Sequence, residues 1–325
     1  MGKIKWGIIG CGDVTEIKSG PAFNKVNDSS LVAVMRRDAG KAEDYARRHG
    51  VPKWYIDADA LINDPEVNAI YIATPPLQHE AYTITALAAG KPVYVEKPMA
   101  VNALAAINMR NAADQYGVKL CVAHYRRAQP MFLKIKQLLE DQAIGDIRFV
   151  QLQMFQPPNT AMIASSETNW RLDPAISGGG LFHDLAPHQL DLMVYFFGPP
   201  ISASGLSRNQ SGASQADDLV IGQILFENGV VFNGSWCFTV SKQDQTDLCE
   251  LIGSNGKISF PVFGAELTLR KDGEIQTFLF DPIPHVEQPM IELVTQYFLG
   301  KGDNPCSAEA AILSMQLIDQ FTMNS

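Results

Sequence analysis

The stretch that most constrains this chain lies near its start, where Ile8-Ile9-Gly10-Cys11-Gly12-Asp13-Val14-Thr15 closes the apolar run from Ile4 to Ile9. Two glycines between a strand pattern and a helix pattern describe a strand-turn-helix joint. Gly10 permits the tight turn, and Gly12 lets a pyrophosphate approach the backbone. The free amides at the helix start, those of Asp13 and Val14, favour negative charge. The third glycine of G-x-G-x-x-G is replaced by Thr15, whose side chain is expected to push the helix slightly away from the strand. The competing reading is an ordinary glycine-rich turn, and only the surrounding pattern separates the two.

That pattern alternates. Strand candidates at Ile4 to Ile9, Leu31 to Met35, Ala69 to Ala73, Val93 to Val95 and Lys119 to Ala123 are separated by helical stretches. The latter run around Val14 to Asn24, Ala39 to His49, His79 to Ala89 and Asn102 to Tyr116. Such a cadence predicts parallel βαβ units with both sheet faces covered. After Ala123 the character changes. Asn228-Gly229, Asn255-Gly256 and Asp272-Gly273 each separate β-rich runs, as hairpin turns do. With long strands at Ile147 to Phe155 and Leu248 to Ile252, and helices near Ala186 to Phe197 and Met290 to Leu299, the second half reads as a largely antiparallel sheet. The fold class is therefore α/β, a doubly wound parallel sheet over 1-123 followed by a second α/β domain over 124-325. The helix from Pro130 to Glu140 fits either half.

At 325 residues the chain is long enough for two cores. Its 26 Lys and Arg against 35 Asp and Glu give a net charge of -9, with no basic block to track a phosphate backbone, so nucleic acid is not expected as a partner. No apolar run reaches the roughly 20 residues of a membrane-spanning helix, and the start lacks the features of a secretory leader. Five scattered cysteines without a Cys-x-x-Cys pair argue against a disulfide framework and against a zinc site. A cytoplasmic protein without a metal is the expectation.

An acidic residue about 20 positions beyond the glycines normally binds the adenosine ribose of a dinucleotide. Here the second strand ends Val34-Met35-Arg36-Arg37. Two guanidinium groups at that edge suit a 2'-phosphate through fork-like, charge-assisted hydrogen bonds, which favours NADP. Two solvated arginines are the alternative, and Asp38 just beyond them could still serve the bare ribose of NAD.

Ligands of open parallel sheets lie beyond the carboxyl ends of the strands. Thr74, Pro75 and His79 follow one such strand, and Glu96-Lys97-Pro98 follows the next, so all of them point toward a cofactor. A lysine in a partly dry site can share in proton transfer. Further on, Ser177-Gly178-Gly179-Gly180 leads into Asp184 and His188, four residues apart and so on one face if a helix starts close to the glycines. A carboxylate beside an imidazole orients the ring and stabilises its charged form, as a general acid/base requires. A structural histidine fits the same spacing. Pro187 suggests that the helix starts near Ala186, with looser geometry.

The glycine loop, Glu96-Lys97-Pro98 and the triple glycine followed by Asp184 and His188, in that order, resemble the glucose-fructose oxidoreductase, inositol dehydrogenase and rhizopine-catabolism family (Gfo/Idh/MocA) over nearly the whole chain. The resemblance implies an amino-terminal Rossmann domain and a carboxy-terminal α/β domain on a large open, mostly antiparallel sheet, whose exposed face makes a homodimer or homotetramer. It also implies hydride transfer between a nicotinamide and a carbon of a sugar or cyclic polyol. In that scheme Lys97 binds the reacting oxygen, His188 exchanges its proton, and Asp184 steers His188. Trp170, Arg171 and Tyr125 fall where substrate-lining residues of the family occur. Departures are Thr15 in the glycine loop and Ala186, where a glycine is common. A redox-neutral glycosidase that retains its nucleotide needs the same residues. A non-catalytic nucleotide sensor would need the glycine loop alone.

Overall fold

The short apolar runs of the first third form six parallel strands in a computed structural model that describes residues 2-158, 160, 162 and 169-322. They are β1 (Ile4–Ile9), β2 (Ser29–Met35), β3 (Lys53–Tyr55), β4 (Ala69–Ile72), β5 (Val93–Val95) and β6 (Leu120–Val122). Their order is β3-β2-β1-β4-β5-β6, and every neighbouring pair is parallel. Because crossover helices cover such a sheet, its central strands read as continuous apolar runs, and all of β4, β5 and β6 is buried. Asp38 caps the helix Ala39–His49 and Asn102 caps Ala103–Tyr116, each accepting an amide N–H three residues on. The strand order reverses between β1 and β4, so the loops after these two strands meet at the switch point.

One local expectation fails for an identifiable reason, and one strand was not expected. The helix expected over 14-24 breaks into Asp13–Ile17 and a 3-10 turn, Gly20–Asn24. Pro21 cannot donate to a continuing helix, and the Tyr45 hydroxyl takes up the carbonyl of Thr15 instead (2.8 Å). The edge strand β3 escaped sequence reading because three residues carry no period. Its side chains tie to buried Asp64, with Lys53 Nζ at 2.9 Å and Tyr55 Oη at 2.8 Å from Oδ2.

The second sheet has eight strands: β7 (Ile147–Phe155), β8 (Pro200–Arg208), β9 (Leu219–Phe226), β10 (Val231–Cys237), β11 (Thr246–Gly253), β12 (Gly256–Phe260), β13 (Glu266–Lys271) and β14 (Glu274–Leu279). The order is β14-β13-β12-β11-β7-β10-β9-β8, and only the β7-β10 pair is parallel. All three Asx-Gly turns join antiparallel neighbours, β9 to β10, β11 to β12 and β13 to β14. One face is covered by the helix Leu181–Phe197, against which Trp236 packs, its Nε1 donating to Gln189 Oε1 (2.6 Å) and its ring meeting Phe182 edge-on at 5.1 Å. Outward positions carry exposed apolar side chains, among them Phe149, Leu206, Ile221, Leu225 and Val231.

That helix begins at Leu181, not near Ala186, and contains Pro187. An interior proline costs a helix about 3 kcal/mol, through one lost backbone bond and the clash of its ring with the preceding turn. Nearly every side chain from Leu181 to Val194 is buried, and this apolar burial outweighs the loss.

The described residues fall into two compact units. One holds the chain up to Arg126 together with residues 169-170 and Ile283–Ile312, the other holds the stretch from Arg127, Arg171–Pro282 and the chain from Leu313 onward. In the first, the returning segment packs Phe298 on Trp6 (5.5 Å) and gives its Cys306 carbonyl to the Val122 amide (3.0 Å). In the second, the helix Pro130–Glu140 sets Phe132 edge-on to Phe260 at 6.1 Å. Among the described residues no helix is long and apolar enough to cross a membrane.

Candidate active site

In the first unit the glycine turn is set against the end of β4. Gly10 has φ +96°, and a Cβ there would stand 2.8 Å from Thr74 Cγ2 and Thr74 N, so only glycine fits. Gly12 faces open space, since its nearest atom to an added Cβ is the Gly10 carbonyl oxygen at 4.0 Å. The Thr15 hydroxyl accepts from the Gly12 amide and donates to the Gly12 carbonyl, both at 2.9 Å. The residue in the third-glycine position is thus part of the turn. The helix it opens is only five residues long, so its dipole adds little. The amides of Asp13 and Val14 lie in its first turn, where backbone N–H groups have no partner within the helix. Open backbone at Gly12 and first-turn amides without a helix partner fit the pyrophosphate of a dinucleotide.

At the end of β2, Arg36 sends Nη1 to the Cys11 carbonyl (3.2 Å), and Arg37 is exposed. Asp38 accepts the Lys41 amide as helix cap (3.0 Å). Thr74 and Pro75 are half-buried at the end of β4. His79 is buried, with Nε2 2.7 Å from the Thr74 carbonyl and Nδ1 3.0 Å from the Pro98 carbonyl. Burial pulls its pKa below the ordinary imidazole value. The ring therefore braces the loops after β4 and β5 from inside.

Glu96 and Lys97 follow β5. Glu96 is buried and accepts the Tyr71 hydroxyl at 2.5 Å and the Lys97 amide at 3.2 Å. Burial raises its carboxyl above the usual range, against the pull of the Tyr71 hydrogen bond and the Lys97 charge. Lys97 itself is half-buried. Tyr125 is buried on the 3-10 turn Tyr125–Ala128, with the Arg126 guanidinium 5.5 Å from its ring centre.

In the second unit, Asp184 and His188 stand four residues apart on the helix Leu181–Phe197. Arg171, buried on the 3-10 turn Trp170–Leu172, holds Asp184 through Nε to Oδ2 at 3.1 Å. Phe263 meets the His188 ring edge-on at 5.5 Å. The triple glycine has steric reasons. A Cβ on Gly179 would be 2.2 Å from the His183 ring, and Gly180 has φ +80° with Ala216 in the way. His183 is pressed into that glycine stretch, and burial lowers its pKa to about 4. Trp170, which belongs to the first unit, is half-buried. Part of the loop from Gln156 to Ser177, residues 159, 161 and 163-168, lies outside the described residues.

Among the described residues no cluster of three or more His, Cys, Asp or Glu is arranged for a metal. One buried carboxylate that sequence reading did not single out is Glu287, beside Glu96 and Tyr71. No local motif marks it, because its partners lie far along the chain.

Two family descriptions match: "Oxidoreductase family, NAD-binding Rossmann fold" over residues 4-124 and "GFO/IDH/MocA C-terminal domain" over 132-259. The chain is 46% identical to an oxidoreductase from Formosa agariphila over 98% of both chains. It is 34% identical to the trans-1,2-dihydrobenzene-1,2-diol dehydrogenase of Oryctolagus cuniculus over 71% of this chain and 67% of that one. The fold matches a crystal structure of the aldose-aldose oxidoreductase from Caulobacter crescentus complexed with glycerol, with TM-score 0.85 and 22% identity, covering 99% of this chain and 97% of that chain. With a Rossmann sheet, its glycine turn and a second, mostly antiparallel sheet all matched to one pattern, the chain belongs to the Gfo/Idh/MocA family of NAD(P)-dependent oxidoreductases.

Proposed function

We propose that this protein transfers a hydride between NADP(H) and a secondary carbinol or carbonyl carbon on a cyclic, polyhydroxylated substrate, a sugar or a related cyclic diol. The observation that carries the chemistry is Asp184 four residues before His188 on one helix, with Asp184 fixed by Arg171. The relative from Oryctolagus cuniculus, named for a trans-dihydrodiol, supports a ring carbinol with a neighbouring hydroxyl.

When bound, the nicotinamide ring accepts or supplies the hydride at carbon. Removing hydride from a carbinol leaves an oxygen whose proton must be taken up, and His188 is the base that takes it. Lys97 donates a hydrogen bond to the same oxygen and stabilises the charge that develops there. Asp184 steers His188 and binds a neighbouring hydroxyl, while Trp170 and Tyr125 contribute to the substrate pocket. Arg171 acts chiefly by holding Asp184.

The preference for NADP rests on the β2 edge. Asp38 is engaged as a helix cap and is therefore poorly disposed toward a ribose, whereas Arg36 and Arg37 bring two positive charges to the same place. Two copies of the chain associating through the exposed apolar face of the eight-stranded sheet complete this reading.

Following nicotinamide absorbance in both directions over a panel of sugars, inositols, anhydro-ketoses and dihydrodiols tests the reaction. A stoichiometric change with a member of the panel is expected; sugar release with no net change defeats the proposal. Dissociation constants for both nucleotides test the cofactor. Preference for NAD, unchanged in Arg36→Ala, overturns NADP, and a monomer in sedimentation overturns the association.

A further inference from the structure

Behind Lys97 lies a dry cluster of oxygens that the hydride-transfer scheme leaves unused. The Tyr71 hydroxyl, on β4, is 2.5 Å from Glu96 Oε1, 3.1 Å from Ser19 Oγ and 3.3 Å from Glu287 Oε2. Glu96 and Glu287 are 6% and 1% exposed, and their carboxyl groups face one another. Glu96 Oε2 in turn accepts the Lys97 amide at 3.2 Å.

Counting protons shows what this arrangement requires. A phenol has one proton, and the shortest contact assigns it to Glu96 Oε1. The Tyr71 contact with Glu287 then needs a proton from elsewhere. Glu287 Oε1 is buried and makes no ordinary hydrogen bond among the described residues, which is costly for a charged carboxylate and tolerable for a neutral acid. Two ionised carboxylates side by side without water would also repel strongly.

We infer that Glu287 is a positioning residue for Lys97: it shares one proton with Glu96, so that the pair carries a single charge, and this keeps Glu96 clasped to the Lys97 amide. The inference rests on the catalytic role proposed for Lys97. The groups facing the pair come from every neighbouring element, namely Tyr71 on β4, Tyr94 on β5, Lys97 after it, Tyr125 after β6, and Lys18 after the first helix. Lys18 and Lys97 are the cations among them, and they offset one carboxylate charge more readily than two. Burial drives the Glu287 carboxyl well above the usual range, and the Glu96 charge adds to this. Its own element is anchored, with the Glu287 amide on the Lys18 carbonyl (3.3 Å) and His285 Nδ1 on the Ile17 carbonyl (2.6 Å).

The sign of the linkage is fixed. A carboxyl whose folded pKa is raised contributes stability that is complete below its unfolded pKa and is lost as pH rises toward the folded one. Glu287→Gln keeps the shape and a donor toward Glu96 but cannot ionise. In the full-length protein its melting temperature should gain on the unaltered chain by about 4 °C or more between about pH 5 and about pH 8. Its kcat should stay within about fivefold, and a fall in kcat of the unaltered protein at alkaline pH, where the pair loses its proton, should be weaker in the variant. Glu287→Ala should lower kcat by about tenfold or more, with the dissociation constant of NADP unchanged.

Equal pH dependence of melting in Glu287→Gln and the unaltered protein overturns the shared proton. Full kcat in Glu287→Ala overturns the positioning role. Lys97→Met separates this from the reading above: if that variant stays active, the catalytic assignment of Lys97 fails, whereas the melting comparison still reports on the pair.

Discussion

Arg171 Nε lies 3.1 Å from Asp184 Oδ2, so the residue just before the glycine stretch fixes the carboxylate just after it. The side chains are 9% and 17% exposed, a partly dry pair, and breaking it leaves one charge uncompensated. Arg171→Ala is therefore expected to cost about 1–3 kcal/mol of stability, the cost of leaving a partly buried group unsatisfied, and to lower kcat/KM by roughly tenfold or more. In a double-mutant cycle with Asp184→Asn the coupling should exceed about 0.5 kcal/mol. Additive effects would show that the pair is not an energetic unit.

The two glycines of the turn predict opposite outcomes. Gly10→Ala forces a left-handed φ and a clash with the loop after β4, so it should lower the melting temperature and weaken nucleotide binding together. Gly12→Ala has extended backbone and open space, so folding should be unaffected within about 0.5 kcal/mol, yet the added methyl fills the place assigned to the pyrophosphate. Dissociation constants and thermal melts on both variants check this. Tight nucleotide binding by Gly12→Ala would move the cofactor elsewhere.

Sequence reading located most of this framework because the relevant signals are local. Glycine turn, strand cadence and Asx-Gly hairpins each depend on a few consecutive residues. The helix Ala39–His49 and the strand Ile147–Phe155 have the bounds expected from pattern alone. What failed depends on distant atoms. Pro187 argued for a late helix start because the burial that outweighs it is tertiary, and the packing of Ile283–Ile312 on the first unit has no signature at its own position. The same applies to the site. Lys97, Asp184 and His188 stand out by motif, whereas the engagement of Arg171 by Asp184, of Asp38 as a cap and of Glu287 by Tyr71 is visible only once the chain is folded.

Arg127 and Asp191 form a second ion pair, bidentate at 2.8 and 2.7 Å, with the Asp191 side chain 1% exposed. The Arg127 guanidinium also lies 5.1 Å from the Tyr195 ring centre. Truncating one partner strands the other charge in the interior, so Arg127→Ala should destabilise by about 3–5 kcal/mol. Arg127→Met with Asp191→Leu should recover most of that loss, because the paired apolar side chains need no solvation. Chemical denaturation of the single and double variants measures both. A double variant no more stable than the single one would point to a directional role for the pair.

His183 sets an acid limit. Its buried ring, pressed on Gly179, has its pKa lowered by burial to about 4, against about 6.5 in the unfolded chain. Between those values the unfolded state binds the extra proton, so the stability His183 contributes is complete above about pH 6.5 and is lost as pH falls toward about 4. The interval corresponds to about 3 kcal/mol at most. His183→Gln, which cannot charge, should flatten the fall in unfolding free energy across that window while costing some packing against Phe182. Denaturant titrations at several pH values would show the slope, and an unchanged slope would assign the acid sensitivity to other groups.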